Sequence, residues 1–406
     1  MTDFQTGFLS LVSSALKGTV PDLPEGFSFE DAYRVAEAHQ VLPLVYYGAM
    51  SLPSFMSHPM MGKFFERACV YISAVASRDT VVNELTRRLD EAGLDHIPLK
   101  GTVLKELYPA PEMRIMGDAD ILIRMEDYPA IQSVMEEMPG FLVTESDHEL
   151  IWMLRNRVTV ELHKRLIPSY NEDYYAYYGD GWQLAHPVAE GSHRYEMKRE
   201  DMLIYLFTHF AKHYRDKGAG IKYVVDFYVY RQAYPDLDMA YLEREMKKLR
   251  LWDFFGNVMG LVDVWFEGAP SDERTDFMTQ KIFDDGVYGK DENSAVSTGV
   301  KLSKTGGSVK RRRMWQMAFP SYDIMSHKYP VLKKWAILLP ILWLWRILDV
   351  VFFHKDRIGR GKRELDRMSD ENISAYQREL NYVGLDFNFG EDDPPAGASD
   401  DPPDGK

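Results

Sequence analysis

Apolar residues along the chain keep two rhythms. Across residues 62–92, Phe65, Cys69, Ile72, Val75 and Ala76 recur at spacings of three and four, which predicts one long helix stopped by Gly93. Residues 1–50 read as shorter helices, with Phe29-Glu30-Asp31 leading into 32–39 and Leu42, Leu44 and Val45 as apolar anchors. The texture then changes. Residues 95–99 read as a short strand, 103–108 as one or two helical turns broken by Pro109 and Pro111, 118–123 as a buried strand and 126–138 as a helix. Strands follow at 140–144 and 158–166. Helix and strand interleaved in this way predict an α+β core. Beyond residue 200 the helical period returns at 201–214 and 221–232, an antiparallel pair across Gly218-Ala219-Gly220, and then at 241–248 and 252–265. Residues 284–308, rich in Gly, Ser and charge, read as a loop. No internal repeat is visible.

Composition narrows the class. With 406 residues, 45% hydrophobic and 27% charged, the chain is neither disordered nor collagenous nor a polytopic membrane protein. One cysteine, Cys69, excludes an internal disulfide framework and a cysteine-only zinc cluster, and suits a reducing compartment. Residues 1–20 lack a basic stretch followed by a long apolar one, so the expected location is the cytoplasm. Net charge is −14, which argues against general nucleic-acid binding. That charge is unevenly spread: residues 301–370 hold 16 Lys and Arg against 6 Asp and Glu, a net of +10, leaving −24 elsewhere.

The sharpest chemical feature is Asp118-Ala119-Asp120 running into Ile121-Leu122-Ile123. Residues two apart on a strand share a face, so two aspartates stand side by side and repel unless a cation neutralises them. Mg²⁺ or Mn²⁺ prefers such oxygen ligands, while turn capping or solvation is the plainer alternative. Asp236-Leu237-Asp238 has the same spacing but follows Pro235 with no strand behind it, and reads as a solvated loop. Val160-Glu161-Leu162-His163 places Glu161 and His163 on one face of another strand, where Glu161 adds a third carboxylate or pairs with Lys164 or Arg165. In Leu99-Lys100-Gly101-Thr102 the chain turns from strand to helix. Gly101 admits a close phosphate, and Lys100 or Arg114 can neutralise one. The spacing is not that of a Walker motif.

These residues carry a resemblance. Pro98-Leu99-Lys100-Gly101, Leu104, Leu107-Tyr108-Pro109, Arg114 and the 118–123 strand, followed by 160–163, Leu206, His209, Lys212-His213, Lys222 and Asp226, resemble the bacterial "uncharacterised nucleotidyltransferase" family of the polymerase-beta-like superfamily. The likeness runs from about residue 30 to 270. It implies a palm-like mixed sheet with N-terminal helices and a C-terminal helical domain. It also implies Mg²⁺-dependent transfer of a nucleotidyl group from an NTP, ATP included, to a hydroxyl acceptor. On that pattern Asp118, Asp120 and Glu161 are the catalytic metal ligands, and Lys100, Gly101, Thr102 and Arg114 bind the nucleotide. Thr102 stands where the superfamily has serine, and a lysine precedes the glycine. The expected division is N-terminal helices over 1–93, the palm over 94–199, a helical domain over 200–283, a flexible loop over 284–310, a basic and apolar helical segment over 311–382, and a disordered acidic tail over 383–406.

Several features have two readings. His209 and His213 share a helix face and reach for zinc with His163, or pack and touch substrate in a cleft with His163 and Lys222. Lys222 and Asp226 read first as an ion pair within one helix. Tyr174, Tyr175, Tyr177, Tyr178 and Trp182 stack a base or anchor the core. The apolar run 335–353 contains Pro340, Arg346 and Asp349, so it is read as a helix in the headgroup plane of an anionic membrane through residues 331–363, ahead of a buried or a spanning helix. That makes the protein peripheral on the inner membrane face, which in turn suits a surface-polysaccharide acceptor. The rival readings are a toxin-like transferase acting on protein or tRNA, and a catalytically silent nucleotide-binding scaffold docked on the membrane.

Overall fold

A computed structural model describes residues 1–385 except 147, 170, 288 and 304–307. The architecture is α+β, as the periodicity predicts. Five strands form one mixed sheet: β1 (His96–Pro98), β2 (Asp118–Ile123), β3 (Gly140–Glu145), β4 (Glu149–Leu154) and β5 (Val158–His163), in the order β1-β2-β5-β4-β3. Only β2 and β5 run parallel, joined by a crossover that holds the helix Tyr128–Glu136 and the β3–β4 hairpin. A second hairpin, β6 (Ala185–Pro187) with β7 (Tyr195–Met197), lies outside this sheet.

Strand alternation divides the two faces. Ala119, Ile121 and Ile123 of β2 pack with Val160 and Leu162 of β5 against Val81, Leu85 and Leu89 of the helix Met61–Glu91 and Ile131 and Met135 of the crossover helix. Leu122 points the other way and joins the larger core. Asp118 and Asp120 share its side, opposite the apolar layer. The long helix forms as predicted, but its buried stripe starts at Phe64, and Phe65 is 53% exposed. Two adjacent phenylalanines left that phase open.

Helices Arg199–Asp216 and Ile221–Ala233 cover the polar face and meet through Phe207, Phe210 and Phe227. The stretch expected as a loop over 284–310 contains a helix, Asp291–Ser303. Ala295 and Val300 are buried in it, and Gly299 lacks a side chain where Ile373 comes within 3.0 Å of an added Cβ. Lys301 pairs with Asp216 at 2.9 Å, and Tyr376 of the last helix, Asp370–Tyr382, donates to the Arg215 carbonyl at 2.7 Å. The C-terminal helices are thus built onto the rest. Val383 and Leu385 are fully buried, although the tail was expected from 383; residues 386–406 lie outside the described residues.

His39 ties the N-terminal helices to this body. Its Nδ1 accepts from the Ile221 N–H and its Nε2 faces the Phe283 carbonyl, both at 3.1 Å, so the neutral ring is the form the site holds. Burial pushes its pKa down to about 4, against a weaker upward pull from the Phe283 carbonyl. A base depressed in the folded state is protonated first in the unfolded one, so stability is complete above the unfolded value near 6.5 and falls as pH drops toward 4. The loss amounts to about 3 kcal/mol. Urea titrations at several pH values should therefore show a steeper acid-side decline for wild type than for His39→Gln. Parallel declines would remove this account.

Candidate active site

Register brings the acids together. Asp120 of β2 is the direct partner of Glu161 on β5, and Glu149 of β4 is the partner of His163. All four point from the same face into a cavity of about 430 Å³, which Asp118 also lines. Ligand atoms of Asp120, Glu161 and His163 lie within 4.8 Å of one another, as do those of His148, Glu149 and His163. Asp118, two residues earlier on β2, is half-buried above the buried Arg78, which donates to the Gly117 carbonyl at 3.2 Å.

Asp120 is the electrostatic centre. Its Oδ1 accepts from Lys100 Nζ at 2.7 Å and contacts His163 Nε2 at 2.7 Å. Burial alone would raise its pKa, yet Lys100 and His163 overcome that and hold the carboxyl well below its usual range. For Glu161 the pull of Lys100 is outweighed. Burial first, then the charges of Asp118, Asp120 and Glu149, push it up to about 8. Clustered carboxylates that must otherwise hold a proton are a donor set that a divalent cation neutralises; the carboxylate oxygens suit Mg²⁺ or Mn²⁺, and of these two Mn²⁺ better tolerates the imidazole nitrogen of His163 beside them.

Opposite these acids the cavity wall is basic. Lys212 and His213 from one covering helix and Lys222 from the other line it, together with His209. Burial and then Lys100 bring Lys212 down to about 8, and burial and then Arg114 do the same for Lys222. His209 Nε2 lies 3.2 Å from His213 Nε2. Neither joins a metal-ligating group among the described residues, so the zinc reading finds no support there.

Other expectations are redistributed. Arg114 lines the cavity, but its guanidinium makes a buried two-pronged pair with Asp226, Nε to Oδ1 at 2.7 Å and Nη2 to Oδ2 at 2.8 Å. Tyr108 donates to the same Oδ1 at 2.7 Å. Arg114 is therefore already neutralised, and the expected Lys222–Asp226 pair gives way to it. Lys222 Nζ donates instead to Gln40 at 2.6 Å. A Cβ on Gly101 would meet Arg114 Nη1 at 2.5 Å and Met116 Sδ at 2.6 Å, so the glycine lets the turn close over Arg114. Lys100 before it sits at φ +48°, a strained conformation that aims its ammonium at Asp120. Thr102 is not among the lining residues, and its Oγ1 is buried without a hydrogen-bond partner among the described residues. Tyr174 and Tyr178 are fully buried and Tyr177 donates to Glu245 at 3.0 Å, so the aromatic run serves as a core anchor. In the second D-x-D, Asp236 is exposed, whereas Asp238 caps the helix Met239–Lys248 by accepting from the Tyr241 N–H at 2.9 Å.

Glu149 and His148 went unnoticed in the sequence. The available signal was Asn156, a turn former at φ +58° between two β-prone runs, which marks β4–β5 as a hairpin.

The model of a protein family described as "uncharacterised nucleotidyltransferase" matches residues 25–267. That range holds the whole sheet and both covering helices. No curated protein and no solved structure matches the chain significantly.

Proposed function

Since the chain belongs to the family of uncharacterised nucleotidyltransferases, we propose that it moves a nucleotidyl group from a nucleoside triphosphate to a hydroxyl acceptor, using Mg²⁺ or Mn²⁺. One observation carries this reading: a strand register that sets Asp120 beside Glu161, with Asp118 on the same face, across a cavity from a lysine-rich wall.

Asp118, Asp120, Glu161 and His163 are the residues that would hold the cation. When bound, it supplies positive charge to the attacking and leaving oxygens. The remaining tasks fall to the chain itself. Lys212 and Lys222 face the acids across the cavity and hold the triphosphate, whose charge restores both to full protonation. Glu161, on the cavity face beside Asp120, takes the proton of the acceptor hydroxyl as its oxygen attacks the α-phosphorus. The bond from the α-phosphorus to the bridging oxygen breaks, and pyrophosphate leaves against the lysine wall. Lys100 keeps Asp120 ionised and aimed. Positioning and charge are the main demands of phosphoryl transfer, so no side-chain nucleophile is required.

The test incubates the protein with each α-³²P-labelled nucleoside triphosphate, Mg²⁺ or Mn²⁺ and cell lysate. A labelled product formed by wild type, and absent with an Asp118→Asn/Asp120→Asn variant, is the expected outcome. Its partition into lipid, glycan, protein or RNA fractions names the acceptor class. Nucleotide binding without any labelled product would overturn the reading in favour of a silent scaffold.

A further inference from the structure

The helix Leu339–Phe353 has no buried residue, and residues 336–353 have a mean hydropathy of 2.0. Apart from Val351 and Phe353 at its C-terminal end, its exposed large apolar side chains are not scattered. Ile337 in the turn before it, then Ile341, Leu344, Trp345, Leu348 and Phe352, follow spacings of three and four and form one apolar stripe. The opposite side is occupied by the chain itself. Trp343 Nε1 donates to the Pro320 carbonyl at 2.9 Å, Arg346 Nη1 donates to the Met317 carbonyl at 2.5 Å, and the Trp343 ring packs edge-on against Phe319. Arg346 and Asp349, the charged residues of the helix, are half-buried.

That arrangement decides between lying and crossing. A spanning helix shows apolar side chains to lipid all round, whereas this one, up to its last turn, shows one stripe and is tied down along its other side by Trp343 and Arg346. By length and composition residues 336–353 are sufficient to cross a bilayer, so it is the anchored side, not the length, that favours lying flat. Charge indicates what covers the stripe. Residues 331–363 hold 8 Lys and Arg against 2 Asp and Glu, in a chain whose net charge is −14. Lys333 and Lys334 are exposed before the helix, and Arg357, Lys362 and Arg363 beyond it. Trp335 and Trp345 are exposed at 57% and 61%, and such rings favour the boundary between headgroup and acyl chain. A second copy of the chain would set the same basic flanks against each other, while the negative surface of an anionic bilayer attracts them.

We infer that the helix Leu339–Phe353 docks this protein on an anionic bilayer, lying in the headgroup plane. Its outer stripe enters the acyl boundary, and Lys333, Lys334, Arg357, Lys362 and Arg363 meet lipid phosphates. The inference concerns a surface outside the matched family range and does not rest on the nucleotidyl-transfer reading.

Flotation of the full chain with vesicles of phosphatidylcholine, alone or mixed with phosphatidylglycerol, tests it. At least tenfold more protein should float with the mixed vesicles, less as salt rises, and an alkaline carbonate wash should release it. Leu344→Glu/Leu348→Glu should abolish flotation with an unchanged melting temperature, because both side chains already face solvent. Failure to float with the mixed vesicles, or undiminished flotation of that variant, would overturn the inference. Retention through the carbonate wash would replace it with a spanning helix. A wild-type dimer that the variant turns into a monomer would assign the stripe to a second copy.

Discussion

Asp118→Asn is expected to lower nucleotidyl transfer by roughly 10²–10³-fold or more, the usual cost of removing one preorganised charge from a reaction centre, while leaving the melting temperature nearly unchanged. Asp118 is half-buried and has no ion pair among those described, so asparagine fits with little loss of packing. Asp120→Asn should remove activity at least as fully but also weaken the fold. It takes the partner from Lys100, whose side chain is only 17% exposed, at a cost of about 3 kcal/mol. Asp236→Asn, in the exposed D-x-D, should change neither property. Labelled-product yield and thermal melting on the same preparations check all three. Equal activity of wild type and Asp118→Asn would refute the assignment of the carboxylate cluster.

The second large effect is on stability. Arg114→Met should cost about 3–5 kcal/mol, because it strands the Asp226 carboxylate in the protein interior with only the Tyr108 hydroxyl left to it. Asp226→Leu should cost a similar amount for the opposite reason, leaving a buried guanidinium alone. The double variant should recover much of the loss, since two apolar groups of similar volume remove both buried charges. Full recovery is not expected, because the Tyr108 hydroxyl then has no acceptor there. Urea midpoints for the two single variants and the double give the coupling. Additive losses would mean the two side chains do not depend on each other. The pair also holds the turn after β1 to the covering helix, so these variants should blunt transfer through the shape of the cavity.

How much of this the sequence disclosed depended on the range of each interaction. Asp118, Asp120, Glu161 and His163 were legible because a period of two is local and a strand's apolar face announces itself. The α+β texture followed from the same short-range patterns. Arg114 was not legible. Its type suggested a phosphate ligand, but its partner lies 112 residues away, and only the tertiary fold shows the charge to be spent. Glu149 depended on register across a hairpin whose first strand carries no clean alternation. Lys222 followed the same logic: four residues from Asp226 on one helix, it lost that partner to a distant arginine and took Gln40 instead. The helix Asp291–Ser303 escaped because its sequence is polar and its burial is supplied by residues such as Ile373. In sequence only Arg346 and Asp349 mark one side of Leu339–Phe353, and the hydrogen bonds of Trp343 and Arg346 show that this is the side the chain covers.

The ion pair between Lys100 and Asp120 bears on the order in which the chain can assemble. Asp120 must wait for a crossover to close before it meets His163, 43 residues further on. Lys100 is only 20 residues away, at the end of the antiparallel neighbour β1. Hairpin-like contacts of that range form early, and longer closures follow. An emerging chain can therefore neutralise this buried acid before the second half of the cluster has been synthesised. Without that lysine, the parallel strand would arrive carrying Glu161 against an uncompensated charge. The tethered ammonium thus offsets the charge of Asp120 from within the fold, so that the strand pairing does not depend on a bound cation.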